Sequence, residues 1–180
     1  MGTGARGSGF SLWVMPEGEI GTRLLRWIDT LAVRFRTERF PPHLTVLSGL
    51  DGTEAEVLRG AAAAAASLEP FTVHVDGVDG RDEHFRCLFV QALEAAPLAA
   101  AHTAAAHVFG RQPDPAYQPH LSLVYGTVDP ATKLAVAHEA SSEVASRFAA
   151  RRLHVWRTDG PVPDWREVGV FEIGRPVPAL

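Results

Sequence analysis

Two short segments of the chain place a histidine and a hydroxyl two residues apart, each inside a matching frame. They are Phe40-Pro41-Pro42-His43-Leu44-Thr45-Val46 and Tyr117-Gln118-Pro119-His120-Leu121-Ser122-Leu123. A bare His-x-Ser/Thr carries little weight, since about one is expected by chance at this composition. The repeat also shares an aromatic three residues before the histidine, a proline just before it, and aliphatics one and three residues after it. Those extra matches lower the chance to roughly one in a few thousand. In a strand, side chains two apart point to the same face. His43 and Thr45 therefore project together, as do His120 and Ser122, while Leu44, Val46, Leu121 and Leu123 face a core. If a two-fold relation links the segments, two imidazoles and two hydroxyls converge on one cleft. In-line displacement at phosphorus needs a base on one side and an acid on the other. Histidine serves either role near neutrality, and hydroxyls donate to non-bridging oxygens.

The surrounding elements must deliver that convergence. Phe10–Met15 reads as a strand stopped by Pro16, and apolar positions from Ile20 to Phe35 recur at helical spacing. Pro41-Pro42 forces a turn into a strand over His43–Ser48. Thr53 and Glu56 form a capping-box pattern ahead of a helix that runs through the Ala61–Ala66 tract to about Leu68. Phe71–Val78 alternates as a half-buried strand, and Phe85–Ala92 reads as its hairpin partner. A helix over Pro97–Phe109, a loop over Gly110–Tyr117 and a strand over His120–Tyr125 follow. Asp129-Pro130 opens a helix to about Ala145. Leu153–Trp156 and Trp165–Ile173 close the chain as strands. The histidines of the two segments stand 77 residues apart in a chain of 180. The expected fold is α+β: a pseudo-two-fold duplicated, bilobal domain over residues 9–180, with an antiparallel sheet in each lobe lining a central cleft and helices outside. Residues 1–8, Gly-rich, read as a flexible N-terminus.

Composition narrows the function. Seventeen Lys+Arg against 21 Asp+Glu give a net charge of −4, which argues against a general nucleic-acid coat. No apolar run reaches the length of a membrane span, and the start lacks the apolar core of a secretory signal. The single cysteine, Cys87, excludes an intrachain disulfide and any multi-cysteine metal site. These features point to a cytoplasmic protein without cofactor or metal, expected to be a monomer and to keep no stable nucleic-acid or membrane partner.

Other residues compete for roles. Gly2-Thr3-Gly4-Ala5-Arg6-Gly7 matches G-x-G-x-x-G but precedes a strand, so the dinucleotide-binding context fails. His102 and His107, five apart on a helix, do not share a face. His74 and His154 read as strand histidines, Arg86 and Arg157 as surface cations able to neutralise a phosphate, and Cys87 as a small buried hydrophobe.

The paired motif resembles that of the 2H phosphoesterase superfamily. Ser11-Leu12-Trp13 followed by Pro16, Phe85-x-Cys87, the segment Tyr117 to Tyr125, and Thr158-Asp159 followed by Trp165 are most similar to cyclic phosphodiesterases of plants and yeast. The resemblance spans nearly the whole chain. It implies opening of ADP-ribose 1″,2″-cyclic phosphate to ADP-ribose 1″-phosphate and of nucleoside 2′,3′-cyclic phosphates to 2′-phosphates. By position it makes His43 and His120 the acid/base pair, with His120 favoured as base and His43 as acid. Thr45 and Ser122 become phosphate ligands, and Tyr125 and Trp13 line the substrate cleft. Plant members are richer in cysteine, and the Gly80–His84 turn and Gly110–Ala116 loop differ from theirs. Two other readings compete: RNA 2′,3′-cyclic end processing or 2′-5′ ligation, against which the negative charge counts, and a non-catalytic nucleotide-binding module.

Overall fold

The computed structural model describes residues 7–175. The described residues form eight strands and four helices. The first half runs β1 (Phe10–Val14), α1 (Gly18–Phe35), β2 (Leu44–Leu50), α2 (Glu54–Ala66) and β3 (Phe71–Asp79). The second runs β4 (Leu88–Ala92), α3 (Ala95–Val108), β5 (His120–Val124), α4 (Pro130–Val144), β6 (Ser146–Ala150), β7 (Arg152–Arg157) and β8 (Arg166–Glu172). All strands join one antiparallel sheet in the order β6-β3-β4-β5-β2-β1-β7-β8.

The duplication is visible in that order. Strand–helix–strand–helix–strand units β1-α1-β2-α2-β3 and β4-α3-β5-α4-β7 exchange their last strands, so β3 lies beside β4 and β7 beside β1. The two four-stranded halves meet where β2 pairs with β5, through Leu44 opposite Leu121. These are the middle residues of the two motifs. The pseudo-two-fold axis therefore passes between them, and the lobes' sheets are fused edge to edge instead of standing separately.

Local chemistry accounts for the elements. On α1, Leu24, Ile28, Leu31 and Ala32 turn one stripe inward, and Arg36 ends the helix in the left-handed region at φ 56°. At α2 the Thr53 hydroxyl accepts from Glu56 N while the Glu56 carboxylate accepts from Thr53 N at 2.8 Å. Asp129 accepts from Thr132 N at 3.0 Å ahead of Pro130. Helix α1 packs on β5 and α3 on β2, α4 covers β3, and α2 covers β7 and β8. Each lobe's helix thus buttresses the motif strand of the other. Leu44, Val46, Leu121 and Leu123 lie in the shared core, and the opposite face of the sheet is left for the cleft.

Two expectations change. Residues 146–150 form the additional edge strand β6, paired along its length with β3. Its Ser-Arg-Phe-Ala-Ala sequence lacks a β-branched run, so pairing with β3 and burial of Phe148 and Ala150 decide it. Phe85 and Arg86 are also not in a strand. His84–Arg86 forms a 3₁₀ turn, closed by Arg81 N donating to the Arg86 carbonyl at 2.9 Å. At the N-terminus, residues 1–6, including Gly2 and Gly4 of the glycine pattern, lie outside the described residues. Gly7 bridges to Gly160 and packs so closely that a Cβ there would meet the Thr158 carbonyl at 2.3 Å.

Candidate active site

Both motifs open on one cleft of about 500 Å³. His43, Thr45, His120 and Ser122 all line it. The two imidazoles are held in the same way. His43 Nδ1 lies 2.8 Å from the Pro41 carbonyl and His120 Nδ1 lies 2.9 Å from the Gln118 carbonyl. A carbonyl only accepts, so Nδ1 carries the hydrogen in each ring and donates it. Each Nε2 is left to present a lone pair or a proton to the cleft. The residue two before each histidine thus sets its tautomer, and the proline just before each holds that residue extended.

The walls around the two rings differ. His43 is 5% exposed, with its ring stacked on Trp13 at 3.6 Å between centroids, and Trp13 stacks in turn on Trp156 at 4.7 Å. His120 is only half-buried, and Phe89 meets it edge-on at 5.2 Å. Trp13 and Phe89 occupy corresponding places, paired with Thr45 and Ser122 respectively. Burial pulls His43 down to about 4, against its carbonyl bond, which favours the charged ring; the charge of His120 adds to the depression. His120 is lowered too, by burial first and then by the Arg86 guanidinium.

Tyr125, on the loop just after β5, is buried, stacked on Phe40 at 3.8 Å, and its hydroxyl reaches His43 Nε2 at 3.4 Å. Burial pushes its phenol up, so it remains a donor to that nitrogen. Trp13 is 1% exposed, so it forms the cleft floor beneath His43 and has no open ring face for a base. The hydroxyls also differ. Ser122 Oγ donates to the Phe85 carbonyl at 2.9 Å, whereas among the described residues no hydrogen bond engages the half-buried Thr45 hydroxyl.

Several other residues complete the cleft. The Tyr117 hydroxyl donates to the Thr45 carbonyl at 2.8 Å. His102 donates from Nδ1 to the Val46 carbonyl and accepts from Asp114 N at Nε2, a fully partnered neutral ring that ties α3, β2 and the 110–117 loop together. Arg86 and Arg111 are the cleft's arginines among the described residues. Arg111 donates to the Ser48 and Gly49 carbonyls. The aromatic at the third place before His120 was visible in the motif and Trp165 entered through the resemblance, but nothing in the sequence singled out Arg111. The remaining candidates lie elsewhere. His74 contacts Glu94, His154 contacts Glu167, Arg157 pairs with Asp159 and His107 is exposed. Cys87 is buried, and burial raises its thiol. Among the described residues no group of three or more His, Cys, Asp or Glu side chains is placed to hold a metal, and no helix is long and apolar enough to cross a membrane.

A duplicated sheet that brings two His-x-Thr/Ser strands to a common axis defines a class, and comparison with known families agrees. The chain belongs to the 2′-5′ RNA ligase superfamily, the 2H phosphoesterases, whose family model matches residues 24–161. Among curated relatives it is 27% identical over 171 residues to the cyclic phosphodiesterase of Arabidopsis thaliana, covering 91% of this chain and 94% of that one. Among solved structures it is similar in fold to Escherichia coli LigT in its apo form, with a TM-score of 0.65, 9% identity, and coverage of 95% of this chain and 100% of the other. LigT complexed with 3′-AMP aligns with a TM-score of 0.62 at 9% identity over the same shares.

Proposed function

We propose that the protein hydrolyses small nucleotide cyclic phosphates, opening nucleoside 2′,3′-cyclic phosphates to 2′-phosphates and ADP-ribose 1″,2″-cyclic phosphate to the 1″-phosphate. The observation that carries this reading is the matched pair of imidazoles in one cleft, each with Nδ1–H tied to its own chain and Nε2 left for the reaction, that of His43 with the Tyr125 hydroxyl 3.4 Å away. The name of the Arabidopsis relative and the nucleotide-bound LigT structures support the substrate class.

In the reaction one Nε2 accepts a proton from water as the water oxygen bonds to phosphorus. The ring P–O bond breaks, and the other Nε2–H delivers its proton to the leaving ribose oxygen. The environment favours the reverse of the assignment that the resemblance implied. His43 is the more deeply buried, is held near 4, and has the Tyr125 hydroxyl at its lone pair. It is the base. His120, closer to solvent, is the acid. Thr45 donates directly to a phosphate oxygen, whereas Ser122 does so only by giving up the Phe85 carbonyl.

The test is a product assay over a panel of cyclic phosphates, with a short RNA ending in a 2′,3′-cyclic phosphate included, read by phosphorus NMR. Turnover of small cyclic phosphates to 2′-phosphates is the expected result. Turnover of the RNA alone would establish end processing instead. Nucleotide binding without turnover would establish a binding module.

A further inference from the structure

We propose that Arg86 is the charged ligand for the anionic oxygen of the substrate phosphate, and that Ser122 serves it by fixing the turn that carries it. The proposal rests on the phosphodiesterase reading and adds the group that recognises charge there.

Four observations converge on Arg86. First, its side chain is one-quarter exposed and lines the cleft that holds both motif histidines. A guanidinium so far withdrawn from water is costly unless an anion meets it. The Glu83 carboxylate stands 3.7 Å away and is itself mostly exposed, which is poor compensation. Second, the guanidinium is held but not saturated. Nη2 donates to Gln118 Oε1 at 2.8 Å, and among the described residues Nη1 has only the long Glu83 contact and Nε is buried without a partner. The plane lies over the Phe89 ring, 5.8 Å from Cζ to centroid, which sets its height on the sheet. Third, the anchor Gln118 is the residue whose carbonyl fixes His120. The cation and the imidazole are thus indexed to one residue, and the cation is near enough to lower the proton affinity of His120.

The fourth observation concerns the duplicated hydroxyls. The proton of Ser122 is on the carbonyl of Phe85, directly before Arg86 in the His84–Arg86 turn. On the His43 side the hydroxyl of Thr45 is free to donate. On the His120 side the serine holds the turn, and the turn presents the arginine. The other cleft arginine, Arg111, is exposed and directs Nη1 at two main-chain carbonyls, so Arg86 is the cation placed for the reacting phosphate.

The test is calorimetric binding of inorganic phosphate and of adenosine 2′-monophosphate to the wild type, Arg86→Met and Arg86→Lys. Methionine retains an apolar stem over Phe89, and near-ultraviolet dichroism of Trp13 and Tyr125 reports whether the cleft is intact. Loss of a charge-assisted ligand should weaken phosphate binding about tenfold to a hundredfold in Arg86→Met. Lysine should recover most of it, because charge is what the phosphate needs. A merely structural arginine predicts the opposite, since lysine has no planar group to lie over Phe89 while it donates to Gln118. The proposal is overturned if Arg86→Met binds phosphate as the wild type does, if Arg86→Lys is as weak as Arg86→Met, or if the wild type binds no phosphate. A wild type that binds phosphate through Arg86 yet opens no cyclic phosphate would remove the functional reading and leave this one in place.

Discussion

The burial of His43 makes a quantitative demand on the pH dependence of turnover. Its ring titrates near 4 against an ordinary 6.5, so charging it in the empty cleft costs about 3 kcal/mol more than in water. His120 also lies below 6.5. The profile of kcat/KM reports the free enzyme, in which the base must be neutral and the acid protonated. Its acid limb then falls near pH 4 and its alkaline limb below pH 6.5. The maximum therefore lies below about pH 5.3, whereas two unperturbed imidazoles would place it near 6.5. By pH 8 the rate constant should be at least about 30-fold below its peak, since an acid titrating below 6.5 is then protonated less than one part in about 30. The assay is initial rates on adenosine 2′,3′-cyclic phosphate from pH 4 to 9 at constant ionic strength. The two limbs belong to the pair, and swapping the roles of the rings leaves the same bell. The roles are separated by a substrate whose leaving oxygen is sulfur. A thiolate departs without a proton, so it should rescue His120→Ala and not His43→Ala. A maximum at or above about pH 6.5, or a profile without an alkaline limb, would refute the argument from burial.

The same shift must appear in stability. The unfolded His43 takes up a proton below about 6.5 and the folded ring only near 4, so stability is complete above 6.5 and is lost as pH falls between those values. Urea unfolding should show the wild type losing about 2 kcal/mol between pH 7.5 and pH 5 relative to His43→Asn. Thr45→Ala should lower kcat/KM by about 10- to 100-fold, less than a fully enclosed oxyanion donor because the threonine is half-buried. Ser122→Ala should cost less in itself but make phosphate affinity more salt-sensitive, and equal, large losses in both would mean that the two hydroxyls act alike. Turnover should survive exhaustive chelation, and loss in EDTA with restoration by a divalent ion would contradict a purely two-histidine mechanism.

Much of the site was legible because it repeats. A histidine, a hydroxyl and two aliphatics in strand alternation specify both the face and the core side, so Leu44 and Leu121 were placed correctly with their neighbours. Helix starts with strong local chemistry, at Thr53 and Asp129-Pro130, were legible for the same reason. What escaped were features decided by distant partners. Strand β6 exists because β3 offers it an edge. The Phe85–Arg86 turn has strand-like composition, and it bends where the Ser122 hydroxyl and the Arg81 amide take consecutive carbonyls. Arg86 therefore read as a surface cation. Trp13 read as a residue lining the substrate cleft; it does line the cleft, but as a buried ring stacked with both His43 and Trp156, a stacking the sequence did not show.

Duplication explains why two histidines share a cleft, and divergence around them explains how they can do different work. A symmetric site would give both rings the same proton affinity, and neither would be preferred as base. Here the corresponding positions Trp13 and Phe89 differ in shape. The tryptophan stacks flat and seals His43 from water, while the phenylalanine meets His120 by its edge and leaves it half-open. Tyr125 then adds a donor on the His43 side, and Arg86 adds a cation on the His120 side. Exchanging the floor should therefore narrow the difference between the rings. In Trp13→Phe the smaller ring admits water beside His43, so its proton affinity rises toward the ordinary imidazole value. The acid limb of kcat/KM should move up by about one pH unit or more, the alkaline limb should stay, and the bell should narrow. If the acid limb does not move while the variant remains folded, burial by Trp13 is not what sets His43 apart.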